Sequence, residues 1–203
     1  MNTESDHFSE KNIELVLKFD YTNCLDLIHE WLAIPSFISS IYKKSFHFMF
    51  IIFIISIFLK PSLELIVLNL GFSFVYFLVF IGVHRFLHII AAYIIGCKNI
   101  KPPIQKSSVF CYCDKTPLNS SKYIFVSIFP FLVIIVFSVV MCILFPEHIG
   151  AVAIFNIFNI TFSNGDIAAT NYFLKNRDIY FYCEHDTNTA YLYKKVFISR
   201  LLN

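Results

Sequence analysis

Hydrophobic positions in this chain gather into long unbroken blocks rather than short alternations. Four blocks follow residue 44: "FHFMFIIFIISIFL" (46–59), "LELIVLNLGFSFVYFLVFIGVHRFLHIIAAYIIG" (63–96), "YIFVSIFPFLVIIVFSVVMCILF" (123–145) and "IGAVAIFNIFNITFSNGDIAATNYFL" (149–174). A helix needs about 20 apolar residues to cross a hydrocarbon core about 30 Å thick. The second and third blocks meet that length outright. The first gives only ~21 Å of helix, and Lys43, Lys44 and Lys60 make up the difference by snorkelling. Pro61 ends it. The fourth is less apolar and carries Asp166. The pattern predicts an all-α integral membrane protein with about four transmembrane helices.

The first 44 residues are polar to mixed, so no N-terminal signal peptide is expected. "NIELVLKFD" (12–20) fits either a short strand or a helix start. "LDLIHEWLAIPSFISSIYKK" (25–44) reads as an amphipathic helix broken near Pro35 and lying on the membrane surface, with Trp31 as an interfacial anchor. His29 and Glu30 fall on its solvated face. Residues 1–44 are therefore expected to form a cytoplasmic or interfacial segment, ahead of one membrane domain over 45–203 that ends in a tail at 175–203.

Composition agrees with lipid as the solvent. Only 15% of the 203 residues are charged and mean hydropathy is +0.67, whereas soluble domains carry about a quarter charged residues. The net charge of +2, without a polybasic block or Gly-rich phosphate loop, excludes nucleic acid as the expected partner. Charge also orients the chain. Lys43 and Lys44 precede the first block; Lys98, Lys101, Lys106, Lys115 and Lys122 lie between the second and third; Lys175, Arg177, Lys194, Lys195 and Arg200 follow the fourth. The opposite loops hold Lys60 with Glu64, and Glu147 with His148. The positive-inside rule places both termini and the central loop in the cytoplasm.

Ionisable residues inside these blocks are the candidate chemistry. His84 and His88 are four apart and stack on one helix face. This is the metal-binding half of an H-E-x-x-H pattern, with Arg85 where the glutamate would stand. His88 lies ~12 Å of helix before the end of its block at Gly96, and Asp166 lies ~12 Å before Leu174. Pro130 falls at nearly the same depth in the third block. Two histidines and an aspartate in one plane inside a bilayer need a partner, and a divalent metal is the simplest one. A pair of core histidines satisfied by backbone or by Ser163 remains the alternative.

A family resemblance adds to this reading. "HRFLHIIAAYIIG", "VFCYCDKTPLNSSKYIFVSIFPF" and "NGDIAATNYFLKNRDIYFYCEHDTNTAYLY" resemble, in order and spacing, the motif helix, the following loop and the G-D segment of a zincin peptidase family. Its members are small bacterial membrane proteins similar to site-two proteases. The resemblance covers residues 80–193. It implies a zincin/site-two-protease-like fold in a bacterial cytoplasmic membrane, and a zinc ion held by His84, His88 and Asp166 with a fourth position open. It also implies a membrane protein or peptide as substrate. Arg85 departs from it, because arginine stays protonated and cannot serve as the general base that the glutamate provides. Hydrolysis is therefore expected to be weak or lost. A non-enzymatic membrane protein that binds a partner segment without metal is the second expectation.

Other polar features promise less. Glu64 and Glu147 fall at the opposite membrane face from the histidines, while Asp178, Glu184 and Asp186 lie in the tail. Cys97, Cys111 and Cys113 offer three thiols, but a cytoplasmic loop predicts reduced and unliganded cysteines. "VFCYC" (109–113) suggests a short β-hairpin in that loop, with an edge for an extended substrate. Asn156 and Asn159 are expected to join helices by hydrogen bonds.

Overall fold

The computed structural model describes residues 13–21, 24–59, 63–101 and 113–195. Strand β1 (Ile13–Asp20) leads into helices α1 (Leu25–Ala33), α2 (Phe37–Leu59) and α3 (Leu63–Ile94). Strand β2 (Leu118–Asn119) opens α4 (Ser120–Leu144), and a 3-10 turn at Pro146–His148 precedes α5 (Ile149–Phe162) and α6 (Asn164–Lys175). Strands β3 (Ile179–Glu184) and β4 (Thr189–Lys195) close the order.

Among the described residues, three helices are long and apolar enough to cross a membrane: Phe37–Phe58, Leu70–Ile94 and Ser120–Leu144. Their surfaces carry exposed Phe48, Ile51, Phe58, Phe74, Val79, Val136 and Ile143, as helices facing acyl chains should. The first is longer than the 46–59 block. The break expected near Pro35 is present, between α1 and α2, and Ser36 caps α2, its Oγ accepting from the Ser39 amide at 3.0 Å. Lys43 and Lys44 then lie within the helix, and the interfacial helix over 25–44 is replaced by the nine-residue α1.

The fourth block is also divided. Helix ends at Phe162 and restarts at Asn164, giving α5 of 14 residues and α6 of 12. Neither alone reaches the length of a span.

The expectation of an all-α chain is corrected by a four-stranded sheet in the order β1-β4-β3-β2, antiparallel at every pairing. β1 reaches across the whole sequence to β4, pairing Ile13 with Lys195 and Asp20 with Thr189. The segment that fitted a strand or a helix start is thus a strand. The tail supplies the other half, because alternate residues of β4, Ala190 and Leu192, are buried while their neighbours are not.

One core joins this sheet to the helix ends. Phe181, Ala190 and Leu192 pack with Tyr123 of α4, Phe173 of α6 and Trp31 of α1. Trp31 is 3% exposed, stacked on Tyr172 at 4.4 Å and edge-on to Phe19 and Phe173. Protein side chains, rather than lipid, cover it. His29 and Glu30 are exposed, as expected. Of the "VFCYC" hairpin, residues 109–112 lie outside the described residues, as do Lys60, Pro61, Lys106 and Arg200. Cys113 and Asp114 form single bridges to Ile100 and Cys183.

Candidate metal centre

One stripe of α3 turns inward. Among the described residues, Ser73, Phe80, His84, His88, Ala91 and Ala92 are its buried ones, at the spacing of one helix face. Asp166 arrives from another direction, in the first turn of α6. The break at Ser163 places it there, and the free N–H groups at a helix start favour a negative charge.

The three side chains meet. Asp166 Oδ2 is 3.0 Å from His84 Nε2 and 3.3 Å from His88 Nε2, and the two nitrogens are 3.1 Å apart. Exposures are 9% for His84 and 2% each for His88 and Asp166. The rings cross at 72°, so nitrogen edges converge rather than ring faces.

α4 orients the second histidine. Pro130 lies inside that helix and has no N–H, so the Val126 carbonyl four residues earlier loses its helical partner. His88 Nδ1 donates to that carbonyl at 2.9 Å. A neutral His88 therefore presents a bare lone pair at Nε2. It points at a carboxylate oxygen and at a second imidazole nitrogen. His84 Nδ1 is buried with no hydrogen-bond partner among the described residues. Such a grouping of electron-rich atoms requires either a metal ion or a shared proton between them.

Zinc fits that requirement by geometry. A tetrahedral site with bonds of about 2.0–2.1 Å has ligand–ligand edges of about 3.3–3.4 Å. The observed separations of 3.0–3.3 Å are close to those edges before any ligand relaxes. Two imidazoles and a carboxylate are also a catalytic-type donor set, and a histidine whose other nitrogen bonds a carbonyl is the usual supporting contact. Among the described residues this is the one cluster of three or more such side chains able to hold a metal ion.

Arg85 stays outside it. The residue is exposed, a 100° step round the helix from His84. Among the described residues, no carboxylate besides Asp166 joins the cluster. Glu184 accepts from the Tyr182 and Thr187 hydroxyls, Asp178 pairs with Lys194 at 3.2 Å, and Asp186 pairs with Lys115 at 3.0 Å. Asn156 bonds the Val152 carbonyl of its own helix, and Asn159 accepts from Ser163 Oγ. These bonds stay within one segment, contrary to the expected interhelical role.

The loop thiols are separate from the cluster. Cys97 and Cys113 are buried free thiols, and Cys111 lies outside the described residues. A hydrogen bond from Cys113 pulls the Cys97 pKa below the ordinary thiol value, and the same bond with burial pushes Cys113 up.

Two polar anchors escaped the sequence reading. Asn171 of α6 donates to the Trp31 and Ile34 carbonyls at 2.7 and 2.9 Å and accepts from Ser36, fixing the α1–α2 turn against α6. Asp114, 2% exposed, accepts from Lys101 at 2.6 Å and from the His185 amide at 2.9 Å, fastening the loop to the β3–β4 turn. A lone aspartate and a lone asparagine carry no pattern that announces such partners.

Long apolar helices around a buried His–His–Asp cluster that could hold a metal ion, with a small sheet at the helix ends, are consistent with a membrane protein. Residues 77–181, over half of the chain, match the family described as "Putative zincin peptidase", and the chain belongs to that family. No curated protein and no solved structure matches it.

Proposed function

We propose that this protein is a site-two-protease-like zincin of the cytoplasmic membrane in which His84, His88 and Asp166 hold a zinc ion and hydrolysis is weak or lost. The observation that carries this is the convergence of two Nε2 atoms and one carboxylate oxygen within 3.0–3.3 Å, with His88 held by the Val126 carbonyl. Zinc bound there supplies Lewis-acid polarisation of a carbonyl oxygen. Asp166 offsets the ion's charge in a dry site, His88 holds its lone pair in line through Val126, and His84 completes the set. Arg85, fixed in its protonated form, accepts no proton. In this reading α5 and α6 together make a broken fourth crossing, with both termini and the central loop in the cytoplasm. The substrate or partner is a membrane protein segment or peptide, not nucleic acid.

The test is metal content and cleavage, measured together on full-length protein in detergent. Wild type should bind about one zinc and cleave little. Arg85→Glu should restore measurable peptide hydrolysis, since a general base typically contributes ~10²–10⁴-fold. Zinc without cleavage in either form would make segment binding the function. Absence of zinc from both would leave a metal-free histidine pair and refute the proposal.

A further inference from the structure

Arg85 raises a problem of its own. It belongs to a helix that spans the membrane as Leu70–Ile94, nine residues before the helix end, which is ~13 Å of rise. Its side chain is exposed, with exposed Leu78 on the same stripe of the helix, one i−7 step away, and exposed Phe86 beside it. None of the ion pairs among the described residues includes it, although Lys101, Lys115 and Lys194 are all paired. Asp166, the one carboxylate at comparable depth among the described residues, is taken by the two histidines. A guanidinium is permanently charged, and at this depth it is costly unless a partner reaches it. Snorkelling toward phosphates is hindered as well, because a helical side chain leans toward the N-terminus, away from the nearer end of α3.

We infer that the Arg85 face of α3 is a docking surface for a second transmembrane helix that carries a carboxylate within the bilayer. The apolar residues around Arg85 provide the packing surface. The guanidinium provides the choice of partner, since a paired carboxylate is stabilised in lipid only where a fixed cation meets it. Gly82, on the same outward side, has open space where a Cβ would stand, so a partner backbone can come close.

The test uses the full-length protein in phosphatidylcholine vesicles with a chelator present, so its outcome is independent of the zinc site. The probe is a labelled leucine-rich transmembrane peptide with one glutamate at the depth of residue 85, compared with its glutamine counterpart by energy transfer at pH 8. Wild type should favour the glutamate peptide by about fivefold, the size of one polar contact between helices. Arg85→Leu should erase that preference, Arg85→Lys should keep part of it, and Arg85→Glu should turn it toward an arginine-bearing peptide. Equal association of the two peptides with wild type, or a preference that survives Arg85→Leu, would overturn the inference. Loss of the preference on adding phosphatidylglycerol would assign the face to lipid phosphate and overturn it equally.

Discussion

His88 Nδ1 bonds the Val126 carbonyl at 2.9 Å, across the gap between α3 and α4, and the carbonyl is available because Pro130 cannot claim it. A proline that would otherwise only weaken α4 thereby becomes part of the cluster's support. Pro130→Ala restores the missing N–H, lets α4 compete for the Val126 carbonyl and frees His88 to turn. Zinc affinity should fall by about 10–100-fold, the usual cost of losing such a supporting contact, while thermal stability holds or rises. Competition with a fluorescent chelator, alongside a melting curve, measures both. Unchanged affinity would show that His88 needs no such anchor.

Removing a donor should act differently. Asp166→Asn keeps the shape and the volume but removes the charge that offsets a divalent ion. Zinc stoichiometry after dialysis should drop well below one, and zinc should no longer raise the melting temperature, because stabilisation by a ligand vanishes with its affinity. His84→Ala should do the same. A variant that keeps full zinc would place the ion elsewhere.

Acid should loosen the sheet end before the helices. Burial alone would raise the Asp114 carboxyl, but the His185 amide and Lys101 hold it below the ordinary carboxylate range. A depressed folded pKa stabilises the fold above the unfolded value and loses that contribution as pH falls through the folded one. The loss is therefore expected below about pH 4. Amide exchange at Asp114 and His185 should accelerate there, and Asp114→Asn should show fast exchange already at pH 7. Exchange in wild type that does not change with acid would remove Asp114 as the fastener.

Trp31 offers a probe that needs no labelling, being the single tryptophan of the chain. Enclosed by Phe19, Tyr172 and Phe173, it should emit at short wavelength and resist acrylamide. Trp31→Ala should cost about 3–5 kcal/mol, as truncation of a buried aromatic does. Emission like that of water-exposed tryptophan would place it at the membrane surface instead.

Orientation can be read from Lys98, which is exposed in the loop after α3. Lys98→Cys should add no label over the parent protein when an impermeant maleimide is applied to intact cells, and should add one after lysis. Labelling on intact cells would invert the proposed topology.

What the sequence determined by itself was whatever depends on local composition and period. Apolar blocks long enough for lipid marked the spans near 63–96 and 123–145, and the four-residue spacing put His84 and His88 on one face of α3. Matching distances from the helix ends even brought Asp166 to the same depth, because rise per residue is constant. Only tertiary structure decided the rest. The β1–β4 pairing joins residues nearly the whole chain apart, and register between distant strands leaves no local trace. Trp31 looked like an interfacial anchor because amphipathicity shows which face is apolar but not whether protein or lipid covers it. The bond from His88 to Val126 required α3 and α4 to face each other at one height. Proline announced the free carbonyl; packing alone chose which side chain would take it.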